Sequence, residues 1–315
     1  MPTHRLDETA RGVFVIAATP FTDTGALDLD GIDRLVDFYL GCGVDGMTIL
    51  GMMGEATKLT TEESGALLRR VMRRVDGRVP VVVGVSNPGL TALSALAKES
   101  MDEGAAGIMV APQPSQKTEE QVIGYFAAVC EAVGPSVPIV LQDFPLGVGV
   151  TISVPTIEAI ADRMPQVVML KHEDWPGLAK LSRLRRNERE QGRRRLSVLV
   201  GNGGLFVPQE IRRGADGAMT GYAFPDMLVE VCRRIAAGDD GAEDLFDAHL
   251  PVIRHETQPG TGLAVRKEIL RRRGALASAH VRTPGPRLDP ADHAEIDALM
   301  RRLERRLAAL GISPR

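Results

Sequence analysis

In the stretch 80–110, PVVVGVSNPGLTALSALAKESMDEGAAGIMV, two short apolar runs, Pro80 to Val85 and Gly107 to Val110, flank a segment with Leu90, Leu93, Leu96 and Ala97 at helical spacing. An uninterrupted apolar run of this length reads as a strand covered on both faces, and a helix between two such strands makes a parallel crossover. The same unit recurs in both directions. Strand-like runs occupy Val13 to Ala18, Gly46 to Leu50, Pro138 to Leu141, Val167 to Leu170, Leu196 to Val200 and Gly217 to Thr220, and Ile32, Leu35, Val36, Tyr39 and Leu40 repeat the helical spacing. Thr60-Thr61-Glu62-Glu63 and Lys117-Thr118-Glu119-Glu120 offer helix starts with threonine caps and acidic first turns. Eight such units predict an α/β fold of the (β/α)8, or TIM barrel, type over residues 11–237. After Thr220 the pattern is helical only, with expected helices at Asp226 to Ala237, about 240 to 254, Gly262 to Arg273 and Ala291 to Ala309. Residues 238–315 are therefore expected to form a C-terminal helical extension packed on the barrel.

The chain has 315 residues, 44% of them hydrophobic and 25% charged, with a formal net charge of -3. That balance supports a full globular core and gives no global basic field, so no nucleic-acid partner is expected. The basic clusters Arg193-Arg194-Arg195 and Arg271-Arg272-Arg273 read as solvated helix faces. Three widely spaced cysteines, Cys42, Cys130 and Cys232, suit a reducing cytoplasm and offer no metal-ligand spacing. The polar start from Met1 to Thr9 lacks the apolar core of a signal peptide, and no run reaches the ~18 apolar residues of a membrane span.

In a barrel of this kind, chemistry sits at the C-terminal ends of the strands. Lys171 ends the sixth run and is followed by His172-Glu173-Asp174. An amine that attacks a carbonyl must first lose its proton, and enclosure at the mouth of an apolar barrel favours the neutral form. Period-two alternation through Lys171 puts Glu173 on the same inward side and His172 on the other. Glu173 is thus the expected proton carrier, with Asp143 a second candidate if Gln142 does not take the inward place. After the second run, Gly51-Met52-Met53-Gly54-Glu55 brackets a tight turn whose free N–H groups can hold a carboxylate, and Glu55 is expected to fix that turn.

These residues resemble the dihydrodipicolinate synthase and N-acetylneuraminate lyase family, class I aldolases that form a Schiff base with pyruvate or another 2-oxo acid. The likeness runs from about Gly12 to Arg305 and rests on Ala18-Thr19-Pro20-Phe21, the Gly-x-x-Gly-Glu turn with its trailing Leu-Thr, Lys171, and Gly214-Ala215-Asp216-Gly217. It implies that Lys171 forms the iminium without a separate cofactor or metal, that Gly51, Met52, Met53 and Gly54 bind the 2-oxo acid carboxylate, with Thr220 at the end of the eighth strand as a further substrate contact, and that the chain associates as a homo-oligomer.

Departures from the family pattern carry as much information. Met52 and Met53 replace Ser or Thr, Gln142-Asp143-Phe144-Pro145 replaces Tyr-Asn-x-Pro, and Pro112-Gln113-Pro114 replaces a segment with the interface tyrosine. Glutamine cannot shuttle a proton near neutral pH, so the tyrosine relay is absent and another group must serve. Gly147 stands where synthases hold their second substrate with arginine, and Gly203-Gly204 where sialic acid lyases place acidic residues. The expected activity is a lyase on a 2-oxo acid, by aldol cleavage or condensation or by dehydration, with a pocket poorly suited to a polyhydroxylated sugar acid. The competing reading is a catalytically quiet 2-oxo acid sensor or scaffold. Gln142, Asp143, Lys171 and Glu173 are the expected catalytic set.

Overall fold

The computed structural model describes residues 4–175 and 177–312. Eight parallel strands close into one barrel in sequence order: β1 (Gly12–Ile16), β2 (Gly46–Ile49), β3 (Val81–Gly84), β4 (Gly107–Val110), β5 (Ile139–Asp143), β6 (Val167–His172), β7 (Ser197–Val200) and β8 (Gly217–Thr220). The ring shuts where β1 pairs with β8, Gly12 beside Gly217 and Val15 beside Thr220. The strands are nearly all apolar because both faces are covered. Val13, Val15, Val81, Val83, Ile108, Val110, Ile139 and Leu141 point out under the helices, whereas Phe14, Ile16, Val82, Met109, Val140, Met169, Leu199 and Met219 fill the lumen. Between Ile139 and Val140 the β5–β6 register slips by one residue. Val168 therefore joins Met169 in the interior, and strict alternation resumes at Leu170.

The surrounding helices are α1 (Leu29–Gly41), α2 (Thr61–Val75), α3 (Leu90–Asp102), α4 (Glu119–Val133), α5 (Pro145–Val148), α6 (Val154–Arg163), α7 (Gly177–Gln191), α8 (Val207–Arg212) and α9 (Pro225–Ala236). Thr60 and Thr118 cap α2 and α4 in reciprocal boxes with Glu63 and Gln121, as the sequence pattern requires. No described helix is long and apolar enough to cross a membrane. The first basic cluster is not a solvated helix face. It lies in the loop before β7, where Arg194 donates to the carbonyls of Ala161 and Val167 at 2.8 and 3.0 Å and Arg195 pairs with Asp216 at 2.6 Å. Carbonyls left over at strand and helix ends attract these guanidinium forks more strongly than solvent does.

Three helices follow the barrel: α10 (Gly241–Glu256), α11 (Gly262–Arg272) and α12 (Pro290–Ala309). Their Leu245, Phe246, Ile253, Val265, Ile269, Ile296 and Leu303 belong to the same apolar cluster as the outward strand residues. A buried polar contact also ties the extension to the turn after β2. Lys267 of α11 is fully buried, and its Nζ donates to Glu55 Oε1 at 2.8 Å and to the His280 carbonyl at 2.6 Å. Glu55 Oε2 accepts from Lys58 Nζ and from the Arg282 backbone N–H, each at 3.0 Å. Burial pushes the Lys267 ammonium below its ordinary pKa, and Glu55 opposes that shift. Lys267→Met removes one partner of a buried pair and leaves Glu55 Oε1 without its donor. It is expected to cost about 3–5 kcal/mol of unfolding free energy in a denaturant titration.

Candidate active site

The end of β6 builds the centre of the site. Lys171 and Glu173 both point into the lumen, and Lys171 Nζ lies 2.8 Å from Glu173 Oε2, with both side chains under a tenth exposed. Gln142 faces the same space from β5, next to Lys171 in register, and its Nε2 donates to Glu173 Oε2 at 2.8 Å. One carboxylate oxygen thus receives an ammonium and an amide together. Such a carboxylate can take the ammonium proton and leave the neutral amine that attacks a ketone, and it can return a proton later.

Two glycines make room for side chains of the site. A Cβ at Gly201, at the end of β7, would collide with the Glu173 side chain, and one at Gly221, past β8, would collide with Met53. The turn after β2 folds as two short 3-10 segments, Met52–Gly54 and Ala56–Lys58, joined by Glu55 in the left-handed region at φ 54°. No side chain caps Gly51 at its start, so the first N–H groups of the turn are left for another acceptor. Gly51 and Gly54 are buried, Thr19 Oγ1 holds the Gly54 carbonyl at 2.6 Å, Met53 packs on the lumen cluster, and Met52 is half exposed. The turn expected to bind carboxylate therefore lies at the mouth, held rigidly by Glu55.

Two expected residues do not join them. Asp143 alternates with Gln142 and lies outside the barrel, where its Oδ2 takes Lys180 Nζ at 2.5 Å and sits 3.6 Å from His172 Nδ1. Thr220 alternates with the lumen residue Met219 and also faces outward, its methyl beside the position of Gly204. Strand parity excludes both from contact with a substrate in the lumen. His172 points outward as expected, its Nε2 donating to the Gly177 carbonyl at 3.0 Å. In the same outer layer Glu210 of α8 is buried, and that burial pushes its carboxyl up to about 7.

Sequence reading missed Arg266 and Glu256, which approach the mouth from the extension. Arg266 Nε donates to Glu256 Oε2 at 2.9 Å, and its Nη1 lies 2.6 Å from Met53 Sδ. The one available signal was a pair of adjacent cations, Arg266 and Lys267, inside an otherwise core-facing helix. The mouth also carries Trp175 and Phe206, half-exposed rings 5.1 Å apart in the loops after β6 and β7.

The model of the Dihydrodipicolinate synthetase family matches residues 9–304. The chain belongs to that family. A curated relative, L-2-keto-3-deoxyarabonate dehydratase of Azospirillum brasilense, is 34% identical over 93% of this chain and 94% of its own. A 4-hydroxy-tetrahydrodipicolinate synthase of Sorangium cellulosum is 33% identical over 95% and 97%. Among solved structures, a dihydrodipicolinate synthase from Rhodopseudomonas palustris superposes with a TM-score of 0.93 at 50% identity, covering 95% of this chain and 99% of its own. YagE, a prophage protein of the dihydrodipicolinic acid synthase family from E. coli K12 solved in complex with pyruvate, gives 0.85 at 27%, covering 93% and 98%. This is an enzyme of a lyase and dehydratase family, and its relatives lend no support to a sensor or scaffold role.

Two outcomes follow from this geometry. Gly201→Ala is expected to push Glu173 off Lys171 and lower kcat by at least about tenfold with the melting temperature little changed, measured by steady-state assay and calorimetry. Glu210 binds its proton more tightly folded than unfolded, so the stability it contributes is present below about pH 4.5 and is lost as pH rises through about 7. Glu210→Gln is expected to remove that decline and to gain up to about 3 kcal/mol above pH 7 in denaturant titrations across pH.

Proposed function

We propose that the enzyme dehydrates a short 4-hydroxy-2-oxo acid through a Schiff base on Lys171. The observation that carries this reading is the contact of Lys171 Nζ with Glu173 Oε2 at 2.8 Å inside the lumen. The neutral amine adds to the C2 ketone and water leaves, giving a protonated iminium that draws electrons from C3. Nitrogen and C3 are both bonded to C2, so a carboxylate beside the nitrogen also lies near the C3 hydrogens. Glu173 takes one of those protons, and the C–H electron pair forms the enamine. The enamine then expels the C4 oxygen, protonated by Glu173, as water. Hydrolysis of the resulting unsaturated imine frees the product and restores the amine.

Retro-aldol cleavage starts from the same iminium but opens with a base at the C4 hydroxyl proton, two bonds further from the nitrogen than the C3 hydrogens. On this reading Glu173 starts at the C3 proton beside the nitrogen and serves the C4 oxygen only once the enamine has formed, and the 34% identity to a 2-keto-3-deoxy acid dehydratase agrees with that order. Carboxylate binding by the Gly51–Gly54 turn, a cytoplasmic setting and homo-oligomeric association complete the reading, which calls for no cofactor or metal beside the lysine. Borohydride added with pyruvate is expected to leave a reduced adduct on Lys171, located by peptide mass spectrometry. Glu173→Gln is expected to keep that adduct while slowing deuterium exchange at the pyruvate methyl at least about 100-fold. No adduct in the parent enzyme would overturn the Schiff base, undiminished exchange would remove Glu173 as the base, and release of pyruvate with an aldehyde from a 4-hydroxy-2-oxo acid would make the enzyme an aldolase.

A further inference from the structure

Arg266 projects from α11 toward the mouth of the barrel with only 7% of its side chain exposed. Its Nε is committed to Glu256 Oε2 at 2.9 Å, and Glu256, itself fully enclosed, also accepts the Ala223 backbone N–H at 3.2 Å. The guanidinium is therefore fixed in orientation by a carboxylate that is tied to the loop after β8. Its Nη1 meets Met53 Sδ at 2.6 Å. A thioether is a weak acceptor, whereas a guanidinium edge matches a carboxylate and binds it with charge-assisted hydrogen bonds. Burial pushes the Glu256 carboxyl up to about 7, and Arg266 pulls against that shift. The Nη1 edge of this almost dry cation, aimed at the turn that borders the lumen, faces sulfur rather than a second anion.

We propose that Arg266 binds the C1 carboxylate of the 2-oxo acid, with Glu256 positioning it and the Met53 thioether occupying its Nη1 until the acid displaces it. The proposal rests on the reading of Lys171 as the imine-forming amine. Met53 is suited to that exchange because its unbranched side chain rotates freely and lies over Gly221, where the absent Cβ leaves it room. Met52 and Met53 bring no hydroxyl to the turn, so the backbone N–H groups there would otherwise hold the carboxylate without a counter-charge. Arg266 supplies that charge from outside the barrel.

The test compares pyruvate with methyl pyruvate, which keeps the ketone and loses the anion. Borohydride trapping on Lys171 is followed against ketone concentration in the parent enzyme, Arg266→Met and Arg266→Lys, with calorimetric titration of pyruvate alongside. Arg266→Met is expected to raise the half-saturating pyruvate concentration roughly 10- to 100-fold and to leave that for methyl pyruvate within about twofold. Arg266→Lys keeps the charge and the pairing to Glu256, and is expected to fall between the two even if Arg266→Met fails to fold. Equal losses for both ketones would make Arg266 a structural clamp, and unchanged pyruvate affinity in either variant would overturn the proposal. A parent enzyme that binds pyruvate calorimetrically in an Arg266-dependent way but gives no adduct would sink the Schiff base while sparing the anion site.

Discussion

The parity of β6 is the constraint on which the site depends. A strand turns alternate side chains to one face, so the inward place of Lys171 brings Glu173 inward and sends His172 out. Two charged groups in an apolar lumen would be costly apart, and each is the other's nearest counter-ion. Transfer of one proton within the pair converts two buried charges into a neutral amine and a neutral acid, which is the form that attacks a ketone. In the proposed reaction, iminium formation restores the positive charge at the same nitrogen, where the carboxylate again compensates it. On the proposed reading, the contact that pairs two buried charges at rest is also the one that carries the reaction, and Gln142 keeps the carboxylate aimed without competing for the proton.

Around that pair the protein divides its polar groups between two sides of one sheet. Asp143, His172 and Lys180 form a buried layer behind the strand ends, and Asp174 extends it to Lys180 at 3.0 Å. None of them reaches the lumen. They fix the tips of β5 and β6 to α7, so the reactive groups sit on backbone that cannot easily shift. Glu55 does the same for the carboxylate turn, through two lysines and the Arg282 backbone N–H. The helices after the barrel thus brace the turn: α11 places Lys267 against Glu55 and Arg266 against Met53.

Most of the fold was legible because its signals are local. Eight apolar runs separated by helical spacing leave few alternatives, and the threonine caps at Thr60 and Thr118 lie beside the helices they start. Strand-end logic found Lys171, Glu173, Gln142 and the Gly51–Gly54 turn. Parity had made Asp143 conditional on Gln142 facing away, and Gln142 faces in; Thr220 was named without that check, and each is one residue from a lumen position, which is enough to reverse the face. It had no purchase on Arg266 and Glu256, since their contacts to Met53 and Ala223 join positions far apart in the chain and no spacing rule connects them. The arginine triplet before β7 misled for a similar reason, its carbonyl partners being contributed by the neighbouring α6 and β6.

Replacing a tyrosine relay by one carboxylate changes what the chemistry can use. A hydroxyl relay spreads proton transfers over several positions along a substrate, whereas Glu173 is confined to the neighbourhood of the nitrogen by Lys171 and Gln142. On the proposed reading, the protons it removes come from the amine nitrogen or from C3 beside it. Gly201 reinforces this, because its missing side chain is the space into which Glu173 folds. A site built this way suits reactions that begin with loss of a proton from C3, beside the imine carbon, and elimination across C3 and C4 is such a reaction.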